Sequence, residues 1–232
     1  MRRHSRKILI NFLMTTLCWT LSSCALSPHP HVVYEDGRTV VGLQADRQAG
    51  AGHSHPAKLT IEQAAKILLG IRVTKDRYAA HRLFAGEADS QAAFKGEEAL
   101  ALAPHVAKAF EAAKPDELVT FYRRISDAST GLAYTTGGLF KRGDFLYLVL
   151  ANCRQEPADT MSRITPGYEI DPIDEPLLPL RRAGYTVSFV PSEAEVHPVE
   201  GQWRWNFPDP RKIVIVNLTL ALRSLESDYQ TH

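Results

Sequence analysis

The spacing of apolar residues along the chain changes from helical to alternating near Pro115. Before it, Ile61, Ala64, Ala65 and Leu68 recur at i, i+3, i+4 and i+7, one face of a helix that Gly70 can stop. Thr60, with Gln63 three residues on, is a capping-box pattern for its start. A shorter helix is expected over 75–84. The clearest helix covers 97–114, where Ala99, Leu102, Ala103, Val106, Ala109, Phe110 and Ala113 draw one apolar stripe. Pro104 sits inside that stripe and predicts a kink or two consecutive short helices.

After Pro115, Val119, Phe121 and Ile125 alternate with Thr120, Tyr122 and Arg124, the mark of a strand with one buried face. Residues 132–140 and 145–151 read as a hairpin turning at Lys141-Arg142-Gly143-Asp144. Phe145 to Leu150 is apolar on both faces, which suits a central strand. Residues 154–183 are rich in proline and acid and lack periodicity, so a long surface loop is expected there. Tyr185, Val187 and Phe189 restore alternation, and 211–222 starts strand-like and turns helical.

Upstream, Val32-Val33-Tyr34-Glu35 and Arg38-Thr39-Val40-Val41 flank Asp36-Gly37, a strong hairpin signal because both turn positions want positive φ. Ala49 to Pro56 reads as a flexible linker by composition. Helices first and strands later predict an α+β domain over 59–232, with N-terminal helices packed on one face of a mainly antiparallel sheet.

The first 24 residues fall outside that scheme. Arg2, Arg3, Arg6 and Lys7 precede an uncharged run from Ile8 to Leu21, too short for a membrane span of ~20 residues. Leu21-Ser22-Ser23-Cys24 closes the run, and it resembles the lipobox of bacterial prolipoproteins. The resemblance covers these 24 residues and implies a processing class, not a domain family. It implies removal of 1–23 as a signal peptide and a diacylglyceryl and palmitate-type anchor on Cys24. Residues 24–58 then become a lipidated tether with a short hairpin, spanning roughly 30 Å if flexible. Ala25 after the cysteine, in place of an inner-membrane retention Asp, points to the outer membrane over the inner.

Cleavage changes the charge. Four of the 27 basic residues precede Cys24 and none of the 26 acidic ones does, leaving 23 basic against 26 acidic residues, a net −3. A mildly acidic chain has no electrostatic reason to bind nucleic acid. Of three cysteines, Cys18 leaves with the signal and Cys24 takes lipid, so Cys153 has no intrachain partner.

Candidate chemistry is thin. His29, His31, His53 and His55 form two His-x-His pairs in the tether, and neutral imidazoles on flexible backbone are metal ligands of weak promise. Polar residues are common in a solvated linker, and neither pair has the spacing of a closed zinc site. Asp159, Glu169, Asp171, Asp174 and Glu175 crowd the long loop, but their spacing fits no calcium loop. Cys153 with His81, His105 or His197 would make a nucleophile and base only if folding brought them together. The hydrolase and phosphate-loop signatures are missing, and no cofactor is expected. Period-two spacing puts Trp203, Trp205 and Phe207 on one face, either exposed to a partner or closing the core. The expected role is a non-enzymatic binding or assembly module of the cell envelope, facing the periplasm, with an envelope protein as partner. The alternative is a lipid-anchored enzyme or ligand- or metal-binding protein with its site near 154–183.

Overall fold

The structure is a computed structural model, and it describes residues 30–46, 48, 52–76, 89–127, 131–156, 172–180, 184–197 and 207–227. Among these are nine strands: β1 (His31–Glu35), β2 (Thr39–Ala45), β3 (Ile71–Lys75), β4 (Ser90–Ala92), β5 (Glu117–Asp127), β6 (Gly131–Arg142), β7 (Phe145–Gln155), β8 (Tyr185–Phe189) and β9 (Ile213–Asn217). Three helices accompany them: α1 (Ile61–Gly70), α2 (Gly96–Ala112) and α3 (Leu218–Ser227).

Six strands form one sheet in the order β1-β2-β5-β6-β7-β9, and three form a second in the order β4-β3-β8. All neighbouring strands in both sheets pair antiparallel. The Asp36-Gly37 turn closes the expected β1–β2 hairpin, although Gly37 alone of the two takes a positive φ. Gly37 takes a φ of 76°, and Asp36 Oδ1 accepts from Arg38 N and Thr39 N. The hairpin is not isolated: β2 pairs with β5 from Thr39↔Arg123 to Ala45↔Glu117.

β7 lies inside the large sheet and is buried on both faces. Leu146, Leu148 and Leu150 face the main core with Val41, Phe121, Leu102 and Phe110, while Tyr147 and Val149 face a second cluster with Leu118, Phe140 and Ile215. Each large side chain buried this way contributes ~1.5–3 kcal/mol. Gly137 is needed where β6 crosses beneath Phe121, because a Cβ there would run into the Phe121 ring and the Val149 carbonyl. Leu177 covers the same strand from the other side at Gly138.

The expected α+β arrangement does not hold. Two strands precede any described helix, nine strands dominate, and three helices are too few to lay a layer over one sheet face. α1 and α2 pack chiefly on each other. The physical reason is that the apolar helical stripes chiefly cover one another and share one core with residues of both sheets, while a second cluster, with Leu177 and Phe207 against it, covers other residues of the large sheet. α1 carries the Thr60–Gln63 capping box that its sequence spells, and α2 runs as one helix through Pro104. The helix expected over 75–84 lies mostly outside the described residues.

Candidate functional site

Among the described residues, most buried polar side chains gather in two places, at opposite ends of α2 and of the β6–β7 hairpin. Twelve residues separate Glu98 from Phe110 along α2, a rise of roughly 18 Å.

The first place follows β2. Asp46 accepts from Gln48 N with Oδ1 (2.8 Å) and meets His53 Nε2 with Oδ2 (2.9 Å), both side chains being almost fully buried. The His53 ring stacks on Phe140 at 4.1 Å, and His55 leans on Phe110 at 5.2 Å. The two imidazoles meet edge to face, 5.9 Å apart. His55 Nε2 accepts from Lys141 N at 3.4 Å. Nδ1 of each ring is buried without a hydrogen bond. Burial holds His55 far below its usual range, at about 4, and the neighbouring His53 and Lys141 push the same way. The Phe110 carbonyl favours its proton, but that oxygen already accepts from Ala57 N.

The second place lies at the first turn of α2. Glu98 accepts from Lys95 N at 2.7 Å and from Arg154 Nη2 at 2.6 Å, with Arg123 Nε 3.9 Å away. Arg154 reaches it because β7 bulges. Thr136 faces Asn152 and Tyr134 faces Gln155, so two β7 residues oppose Thr135. Arg154 takes a φ of 47° there, and its N–H goes to Thr135 Oγ1. Close by, Asn152 donates to Thr136 Oγ1 and the Leu178 carbonyl and accepts from Leu180 N, tying loop 176–180 to the sheet. Lys212 is 2 % exposed; its Nζ donates to the Ala151 carbonyl and lies 4.6 Å above the Tyr185 ring. Burial lowers the affinity of Lys212 for its proton and raises that of Tyr185 well above its ordinary range.

No protein family, curated protein or solved structure matches the chain.

The residues singled out from the sequence are distributed unevenly. Cys24, His29, His81, Trp203, Trp205, Asp159, Glu169 and Asp171 lie outside the described residues. His53 and His55 come together; His31 stands exposed on β1, opposite Leu43. No three His, Cys, Asp or Glu side chains among the described residues are placed to hold a metal ion. Phe207 is half-buried against the Phe140–Tyr147 cluster. Asp174 and Glu175 are exposed. Cys153 is partly buried against the main core, and burial pushes its thiol up to about 11. His105 stacks on Tyr34, and His197 is exposed.

Asp46, Glu98, Arg154, Asn152 and Lys212 escaped the sequence reading. One signal was present: His53, His55, Ala57 and Leu59 are buried while Ser54, Pro56, Lys58 and Thr60 are exposed. That alternation is a strand-like period in a stretch whose composition reads as linker. Chemically, the first place is a buried carboxylate against one imidazole with a second, neutral imidazole beside it, and the second is a carboxylate matched by two guanidinium groups.

Proposed function

We propose that the chain is a lipid-anchored protein of the bacterial envelope whose β-rich body works as a non-enzymatic binding or assembly module. The observation that carries this reading is Leu21-Ser22-Ser23-Cys24 after a basic start and an uncharged apolar run. The architecture adds a limit. β1 begins at His31, seven residues beyond Cys24, so chain geometry allows at most about 25 Å between the lipidated residue and the sheet. β2, which continues from β1, is buried between β1 and β5. A lipid on Cys24 would therefore hold the body close to its membrane, within reach of an envelope protein and away from nucleic acid. The outer membrane is the proposed location, on the residue that follows the cysteine.

Replacing Cys24 with Ala tests the anchor. The variant should leave the membrane fraction and appear soluble; retention with membranes sinks the reading. Pull-down of the native chain in mild detergent tests the assembly role, which fails if no envelope component co-purifies.

A further inference from the structure

The segment 52–57 lies across the end of the large sheet and is held at both sides by hydrogen bonds. His53 N donates to the Pro115 carbonyl at 2.6 Å, Ser54 N to Lys141 O at 2.8 Å, and Ala57 N to Phe110 O at 2.9 Å. Gly143 N donates to Ser54 Oγ at 2.8 Å, and Lys141 N to His55 Nε2 at 3.4 Å. The segment thus bridges the C-terminal end of α2 to the β6–β7 turn.

Its two imidazoles are not equivalent. The His53 ring has the Asp46 carboxylate against its Nε2 at 2.9 Å. A proton arriving on His55 finds His53 on one side and Lys141 on the other, with a phenyl ring beneath it. It would also occupy Nε2, the atom that accepts from Lys141 N, and turn that bond into two facing donors. The other charged groups on the flanking elements are Lys108, Glu111 and Lys114 on α2, Asp116 in the turn after it, and Arg142 and Asp144 around the β6–β7 turn. Of these only Arg142 is better than exposed, and none contributes to the His55 balance.

We propose that 52–57 is an acid-released strap: protonation of His55 detaches the segment from β6 and α2, uncovering Phe110 and Phe140, while both sheets stay folded. The ring then moves from an apolar niche into water, where its charge is solvated, and the proton taken up from solvent is the only chemical change. The segment comes after β2 in the chain and lies at the same end of the sheet where His31 opens β1.

Amide hydrogen exchange on the full chain in detergent tests this, with rates at pH 7 and pH 5 corrected for the intrinsic pH dependence of exchange. Opening of the His53, Ser54 and Ala57 amides should rise by up to about tenfold per pH unit, the slope of a one-proton linkage. Amides of the β5–β6 ladder should keep their protection. His55→Phe, which fills the niche without titrating, should abolish the rise. Unchanged protection of 52–57, equal loss in β5–β6, or the same pH dependence in His55→Phe would each overturn the proposal. If His55→Phe fails to fold, the wild-type His55 ring can be followed by NMR, and titration near 6.5 with the strap closed overturns it as well.

Discussion

At the end of the molecule where β1 begins, two imidazoles and one carboxylate are buried among Phe110, Phe140 and backbone amides, with His55 kept neutral. At the far end, Glu98 is buried among a guanidinium at 2.6 Å, another at 3.9 Å and the first turn of α2. Both ends pin the same two elements, α2 and the β6–β7 hairpin. They solve the cost of burying polar atoms differently. The far end matches charge with charge, so losing one member strands the rest. The near end avoids charge on His55, so it is threatened by gaining a proton. Removing a group should hurt the far end most, and adding a proton should hurt the near end most.

The largest expected effect is Glu98→Gln. The amide can still accept from Lys95 N, but Arg154 and Arg123 lose their counter-charge in a partly buried setting. Breaking one partner of a buried ion pair costs 3–5 kcal/mol, and the partial exposure of both arginines puts this case near the low end, about 3 kcal/mol. Urea unfolding at pH 7 reads it. A loss below about 1 kcal/mol would show that the far end is held by packing and the Thr135–Arg154 bulge, not by charge.

Acid should reverse the ranking. His55 binds its proton with a folded-state value of about 4, below the ordinary 6.5. Between those values the unfolded chain holds more protons, so stability falls as pH drops from 6.5 and the loss is complete below about 4. The expected loss is on the order of 2 kcal/mol once solvent screening is allowed for. Stability curves of wild type and His55→Phe should diverge across this window and run parallel above it. Parallel curves throughout would remove the distinction between the two ends.

The sequence made the elements readable where the cause is local. Asp36-Gly37, Thr60–Gln63, the stripe of α2 and the two-faced apolar run of β7 each act within one or two turns of chain. The class was misread because the sheet is assembled from pairings that no local pattern contains. Thr39 meets Arg123, and Ile71 meets Phe189, so strands from the supposed tether and from between the helices join two different sheets. The polar sites fail for the same reason. Glu98 and Arg154 lie 56 residues apart, and His55 and Lys141 lie 86 apart. His53 and His55 look like solvated linker residues until Asp46, Phe110 and Phe140 are placed around them. The lipobox resemblance at Cys24 needs no long-range partner, so the proposed anchor rests on the first 24 residues alone.

The smallest expected effect tests whether the two ends are separate at all. Asp46→Asn keeps one acceptor and loses the other, so either the Gln48 amide or the His53 ring goes unpaired, at a cost of about 1 kcal/mol. Groups more than 7–10 Å apart with no shared partner usually add to within ~0.5 kcal/mol, and the length of α2 between these two places is well beyond that. The double variant Asp46→Asn with Glu98→Gln should therefore cost the sum of the single losses at pH 7, to within ~0.5 kcal/mol. A coupling above about 1 kcal/mol would mean that α2 transmits strain from Glu98 to the Phe110 end. In that case the strap and the ion pair would be one device, and release of 52–57 by acid should then loosen the Glu98–Arg154 contact as well.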